Sequence, residues 1–512
     1  MKIKALVAGC ALAFTGMSAH AASVNLTGYT KIYLTGATAP DSFLADLANQ
    51  MLDGVVEYRN RATNSSGVEI SGTDFRAFIG TAKSGIPGVT PGTPVAFFKR
   101  SKGGSVWGVD PVARAQRIQS LNMDDCDLTT RRCGLKGIDP GVENHEDPSL
   151  NNGEISDFGV SDVEPRMFRE PFNTENGQPE LTDAERGLFA NFAVNALMFG
   201  QVATNAVPAT TVLSRTTYGS MLQGLIRNWE QVDGTDAGVI VCRRVNGSGT
   251  QTSYNAFYGS FPCTSAANAA VAPAGIADST PEVFTGNGDG SEADPFEIDP
   301  SALDANGKPA YVVVENSGSG DVRKCLFAAQ NRQLYKVRGS NDVWYSVQFN
   351  KLPSPGRAIG VLSLDSYGRE TNATEGGWTY RHMDGAGVFT PSTQTSSAGA
   401  TGIAPSKQNL LDGKWDFTYE LSMQYRNAAV TNDVGDSVPS MNDPVNATKK
   451  AFISEFIKRA GSTTYTGNDG GVFTSVPNAY ATLPTIGDYT AKPAFVTKFS
   501  RGGNSCSPMR RF

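Results

Sequence analysis

Apolar and polar positions along this chain follow a repeated grammar: a short apolar run, a turn rich in glycine and hydroxyls, then apolar residues at helical spacing. Lys31–Leu34 (KIYL) reads as a strand. It leads into TGATAPDSFLADLANQML, where Pro40 suits the first helical position and Phe43, Leu44, Leu47, Met51 and Leu52 share one helical face. Val95–Phe98 (VAFF) precedes KRSKGGSVWGVDPVARAQRI, and EISDFGVSDVEPRMF places a short strand ending at Ser161-Asp162. GVIVC, ending at Cys242, runs directly into RRVNGSGTQTSYNAFYG, residues 243–259. Gly187–Ala203 is long and apolar, but Asn191, Asn195 and Gln201 interrupt it, so it reads as buried sheet. No other stretch approaches the roughly 18 uninterrupted apolar residues of a membrane span. Strands alternating with helices predict an α/β fold with ligand contacts in the loops at the carboxyl ends of strands.

Polar, low-complexity stretches separate these units: Asn122–Asn152, Ala266–Lys308, Gly385–Lys407 and Thr431–Asn446 read as insertions. TGNGDGSEADPF (285–296) lacks the acid spacing and terminal Glu of a calcium loop and reads as a surface turn. Residues 1–21 read as a secretory leader: Lys2 and Lys4, an apolar run to Met17, then Ala19-His20-Ala21 as the cleavage site. A lipoprotein box at Cys10 is the rival reading, with a short apolar region of about five residues against the usual 7–15. The expected location is therefore periplasmic or secreted.

With 512 residues the chain is long enough for two or three domains. Six cysteines remain outside the leader: Cys126, Cys133, Cys242, Cys263, Cys325 and Cys506. An even number in an exported chain suggests disulfides, and the short loops favour Cys126–Cys133 and Cys242–Cys263. No paired Cys or His stands nearby, so a metal site is not expected. The net charge is −6, and more negative once Lys2 and Lys4 leave. Lys99-Arg100-Ser101-Lys102 is an isolated basic run, read as a solvated loop, and nucleic acid is not an expected partner. An anion site here must rest on local dipoles rather than on net charge.

The NGSGT turn is where that chemistry concentrates. A strand, a glycine-hydroxyl turn and a helix leave free backbone N–H groups pointing outward, with Arg243 and Arg244 at the edge. Burying a tetrahedral dianion requires donors already in place. The amides of Gly249 and Thr250 and the hydroxyls of Ser248 and Thr250 supply one set; Thr38 and the Ala39 amide supply another. Arg243 alternates to the opposite side of the strand and reads as a surface or structural ion pair. The motifs GxxxxGK[ST], GxSxG and HExxH do not occur, and His145 and His382 read as ordinary packed or surface residues.

Taken in order, these segments resemble the phosphate-binding substrate-binding proteins of bacterial ABC transporters. TGATAPDSF is similar to the family's first loop and helix, and ISDFGVSD to its DFGx[ST]D segment. LSRTTYGSMLQGLIRNW, RVNGSGTQTSYNAF, GRAIGVLSLDSYG and the AFISEFIKRAG…YATLP ending are similar to later family segments. The resemblance spans most of the chain, about a third of which lies in insertions that compact members lack.

It implies a type II periplasmic-binding-protein fold. Residues 22–198 with 365–512 would form one lobe and 199–364 the other, with an insertion around 262–340. Phosphate would lie between the lobes, held by Thr38, Ala39, Ser105, Ser161, Asp162, Arg244, Ser248, Gly249 and Thr250. Arg244, four residues before Ser248, would give a bidentate contact. Asp162 would accept the proton of phosphate and reject sulfate, which has none; read by itself, Asp162 caps a following helix. For the family's Ser-Gly-Gly contact Ser105 is preferred, with Ser65 and Ser66 the alternatives, and Ala39 replaces a larger residue. The resemblance further implies a monomer without catalytic residues or cofactor, serving an inner-membrane ABC permease. A binder of another tetrahedral oxyanion, an extracellular structural or adhesive protein on the same fold, and an enzyme such as a phosphatase are the alternatives.

Overall fold

The structure, a computed structural model, describes residues 23–63, 68–175, 177–264, 272–339, 343–463 and 475–512. The leader, Cys10, Ser65 and Ser66 lie outside the described residues. Among those residues, sixteen strands form one mixed sheet flanked by helices, so the α/β expectation holds. In chain order its main path comprises β1 (Thr30–Gly36), β2 (Leu52–Thr63), β3 (Glu69–Ala82), β4 (Pro94–Arg100), β5 (Ser120–Asp127), β6 (Arg132–Lys136), β7 (Phe158–Ser161), β8 (Phe189–Thr204), β9 (Ile240–Arg244), β10 (Val312–Asn316), β11 (Ala358–Ser363) and β12 (Thr418–Arg426). Side by side they run β10-β9-β11-β8-β12-β7-β1-β4-β3-β2-β6-β5.

The longest of these strands joins the two ends of the sheet. β8 pairs through Phe189–Met198 with β12 and then through Phe199–Ala203 with β11, antiparallel in both cases. Of the polar residues named in that stretch, Asn195 and Gln201 are fully buried, whereas Asn191 is exposed, so the strand is buried only from about Val194 onward. Around it the strands that matter for chemistry are parallel: β1 lies between β4 and β7, and β9 lies between β10 and β11. Parallel strands aligned in this way end on the same edge, so their following loops gather there.

β4 is covered on both faces. Val95 and Phe97 enter the main core, whereas Ala96 and Phe98 enter a second cluster with Phe75, Ile79, Leu121 and the Cys126–Cys133 pair. That strand continues through Lys99 and Arg100, which are 3% and 5% exposed, so the basic run is not a solvated loop at its start. Arg100 is paired with the buried Asp139 at 3.1 Å, the contacts of Lys99 are described below, and of this run only Lys102 reaches partial exposure.

Helix α1 (Asp41–Met51) buries Phe43, Leu44, Leu47, Ala48 and Met51 as its periodicity predicts. Pro40 is its N-cap rather than its first helical residue, and Leu52 already belongs to β2. α2 (Arg215–Leu222) is capped by Ser214, α3 (Gly249–Gly259) by Ser248. α4 (Ser319–Asn331) and α5 (Ala447–Gly461) complete the helices used here. After β7 no α-helix follows, only a three-residue turn at Pro165–Met167 whose N-cap is Glu164. Residues 285–296 form an exposed turn, as read from sequence.

Three disulfides staple the chain. Cys126–Cys133 closes the β5–β6 hairpin as expected. The Cys242–Cys263 expectation is overturned: Cys242, on β9, pairs with Cys325 on α4, and Cys263 pairs with Cys506. Short loop length misled the reading, because β9 packs directly under α4 while α3 carries Cys263 towards the C-terminal tail. Among the described residues no helix is long and apolar enough to cross a membrane, and no group of three or more His, Cys, Asp or Glu could hold a metal ion.

Candidate functional site

Four strand ends converge. β1 leads to Thr38 and Ala39, β4 to Ser105, β7 to Ser161 and Asp162, and β9 to Ser248, Gly249 and Thr250. The first three loops are neighbours because β1 is parallel to both β4 and β7. Gly36 makes their close approach possible: its φ is +122°, and a Cβ there would lie 2.0 Å from the Val160 carbonyl oxygen. The β9 loop meets them from the other side, where the Val106 amide donates to the Gly247 carbonyl at 2.8 Å.

Gly249 sits at the centre of this meeting. A Cβ on it would stand 2.2 Å from Ser105 Oγ and 2.7 Å from Asp162 Cβ, so only glycine lets the start of α3 come this near. Gly104 is similarly close to the Arg244 guanidinium and to Ser248. Ser105 Oγ accepts from the Asp162 amide at 3.2 Å, and Thr250 Oγ1 donates to Asp162 Oδ2 at 3.1 Å. Ser248 accepts the Gln251 amide and thereby caps α3, which aligns the free amides of that first turn.

Arg244 ties this cluster to Thr38. Its Nη1 donates to Thr38 Oγ1 at 2.8 Å and to Ser319 Oγ at 3.3 Å, while Nη2 donates to the Ser317 carbonyl. Nε donates to the Asn316 carbonyl at 3.3 Å. The neighbouring Arg243 faces away, as its alternation implies, and is paired with Glu315 at 2.6 Å in a buried ion pair. Ala39 is buried, its carbonyl accepting from Ser363, and Ser161 Oγ accepts from the Val163 amide. Of the residues expected from sequence, Thr38, Ser105, Asp162, Arg244, Ser248, Gly249 and Thr250 are thus brought together, with Ala39 and Ser161 adjacent through the backbone.

Asp162 is the electrostatic anomaly of this cluster. It is 1% exposed, and its Oδ1 has no hydrogen-bond partner among the described residues. Burial pushes its carboxyl up to about 7, with the Arg244 charge and the Thr250 hydrogen bond opposing the rise. It caps no helix. A buried carboxylate oxygen without a donor is costly, and it would be satisfied by a proton or by a group that brings one.

Two features of the site were not read from sequence. Asn316 ends β10, and Ser317 and Ser319 follow it, within the stretch read as insertion, although YVVVENSGSGDV repeats the strand, glycine-hydroxyl turn and helix grammar. Lys99 is the other. Its ammonium donates to the carbonyls of Gly36, Ala37 and Arg100 and to Ser101 Oγ, and lies 3.5 Å from Asp41. Burial lowers it to about 8 against the pull of Asp41. It fixes the backbone that leads to Thr38. A cleft of about 290 Å³ opens beside Thr38 and Ser319, lined also by Ser42, Asp74, Arg76 and Arg323.

No protein-family model matches the chain, and no curated protein is similar to it. Solved structures similar to it include an ABC-type phosphate transport receptor from Vibrio cholerae, 13% identical over 83% of this chain and 93% of that one, with a TM-score of 0.34. A human phosphate binding apolipoprotein is 12% identical, covering 93% and 96%, with a TM-score of 0.40. A high affinity periplasmic phosphate-binding protein bound with phosphate is 11% identical, covering 94% and 96%, with a TM-score of 0.38. At this distance the likeness assigns no role to any residue here.

Proposed function

We propose that this chain is an exported, non-enzymatic binding protein that captures inorganic phosphate between two lobes. The observation that carries this reading is the buried, unpartnered Asp162 Oδ1 in a cluster with an arginine, four hydroxyls and the first turn of α3. A cluster of donors around one acceptor suits an oxyanion that still bears a proton. Hydrogen phosphate has both properties. On this reading Arg244, Thr38, Ser105, Ser248 and Thr250 donate to its oxygens together with the amides of Ala39, Gly249 and Thr250, while Asp162 accepts its proton. To do so Arg244 gives up part of its contact with Thr38 and Ser319, and the Thr250 hydroxyl turns its one proton from Asp162 Oδ2 to the phosphate.

The lobes are residues 22–198 with 365–512 and residues 199–364, with β8 shared between them. Residence in the periplasm or beyond is the reading that residues 1–21 support, and delivery to an inner-membrane permease is what the family resemblance implies. The two histidines outside the leader support a non-catalytic reading because each is occupied structurally: His145 bonds Ile138 and Asp433, and His382 bonds Thr401 and Ser396.

Arg244→Gln tests the assignment. Phosphate at millimolar concentration is expected to raise the melting temperature of the wild type and to leave the variant unmoved, a loss of at least a hundredfold in affinity, or about 2.7 kcal/mol. Equal stabilisation of both proteins would remove Arg244 from the site.

A further inference from the structure

The Cys263–Cys506 bridge stands apart from the other two. Cys126, Cys133, Cys242 and Cys325 are fully buried, whereas Cys263 and Cys506 are both exposed. It spans 243 positions in sequence, so it joins parts of the chain that no local structure connects. Cys263 lies four residues beyond the end of α3, whose first residue is Gly249. On the other side, the amide of Ser505, next to Cys506, donates to Glu164 Oε1 at 2.8 Å, and the Glu164 amide donates back to Ser505 Oγ at 3.4 Å. Cys506 Sγ also lies 3.6 Å from Met167 Sδ. Glu164 is two residues from Asp162.

The bridge therefore closes a circuit: the helix that presents Gly249 and Thr250, the disulfide, the C-terminal tail, and the loop that presents Asp162. The tail is itself anchored, because Glu420 on β12 accepts from the amides of Arg501 and Gly503, each at 2.6 Å. Non-covalent contacts follow the same seam. Asn255 donates to Asn173 Oδ1 at 2.7 Å, Phe172 packs against Phe261, and Phe257 stacks on Phe417 at 4.2 Å.

We propose that Cys263–Cys506 is a thiol–disulfide exchange site that latches the α3 side of the pocket to the Asp162 side, its reaction partner being a dithiol. The chemistry is ordinary exchange. A thiolate of the dithiol attacks one sulfur of the bridge, forming a mixed disulfide and releasing one protein thiolate, which takes up a proton. The second thiol of the reagent then displaces the remaining cysteine, leaving two protein thiols and an oxidised dithiol. Two electrons pass to the protein. Opened, the latch leaves the seam to its non-covalent contacts alone, and the two sides of the pocket separate more often.

The inference rests on the phosphate reading only for its consequence on ligand exchange, and its test reads the latch without ligand. Native protein is treated with dithiothreitol, the free thiols are alkylated and mapped, and backbone hydrogen exchange is followed. Alkylation is expected at Cys263 and Cys506 and at none of the four buried cysteines. Exchange in residues 245–259 and 160–173 is expected to quicken at least tenfold, and a Cys263→Ser/Cys506→Ser variant should reproduce that pattern without reductant. Unchanged exchange in these segments, or alkylation at all six cysteines together, would overturn the latch. Phosphate dissociation, measured on the same samples, should quicken with the opened bridge. Failure of phosphate to bind at all would sink the proposed function while leaving the exchange result to decide the latch.

Discussion

Replacing Asp162 with asparagine is expected to stabilise the protein at pH 8 and to admit sulfate to the pocket. The carboxyl titrates near 7 in the folded chain, because burial disfavours its charge, and near its ordinary value of 3.8 when unfolded. Between those values the folded chain holds a proton that the unfolded chain has lost. Stability contributed by this group is therefore complete below about pH 4 and falls as pH rises through 7. Asp162→Asn removes the loss. At about 1.4 kcal/mol per pKa unit, the variant should gain roughly 2–4 kcal/mol over the wild type at pH 8 and little at pH 4. Urea denaturation at the two pH values measures both. The change in selectivity has a separate cause. An amide can donate to a fully deprotonated oxygen where a carboxylate repels it, so sulfate should bind the variant and compete with phosphate. A variant no more stable at pH 8 than at pH 4, relative to wild type, would mean that Asp162 is not buried as a charge.

The second large effect is expected at Lys99. Its ammonium satisfies the carbonyls of Gly36 and Ala37, which lead to Thr38, together with the Arg100 carbonyl and Ser101 Oγ at the end of β4, and it neighbours Asp41 at the start of α1. Lys99→Met keeps the length of the side chain but leaves Asp41 and those carbonyls without their cation. Removal of one partner from a buried charged cluster costs about 3–5 kcal/mol. Chemical denaturation should show that loss, and phosphate affinity should fall with it, because the Thr38 loop loses the group that fixes its course. A loss below about 0.5 kcal/mol would show that the loop is held by other means.

Much of this site was legible because each piece is local. A strand followed by a glycine-hydroxyl turn and helix can be read from a dozen residues, as at TGATA and NGSGT, whereas DFGVSD shows the strand and turn but is followed by no α-helix. The same reading placed Arg243 and Arg244 on opposite sides of β9, which the Arg243–Glu315 pair bears out. What failed depends on the third dimension. Lys99 and Arg100 look like a solvated basic run until β4 is known to lie inside the sheet, covered on both faces. The β10–α4 unit was hidden because polar insertion surrounds it. Cysteine pairing went astray at Cys242, since which helix lies over β9 is a matter of topology rather than loop length. The proximity of Gly249 to both Ser105 and Asp162 could not be seen from sequence either, because it depends on how the loop after β9 meets the loops after β4 and β7.

The most direct measurement is calorimetric titration of phosphate-stripped protein, leader removed, with phosphate and then with sulfate near pH 7. Saturable phosphate binding at one site per chain, with no heat from sulfate, is the expected result. Absence of heat and of thermal stabilisation with either anion would contradict an oxyanion site built on Asp162 and Arg244.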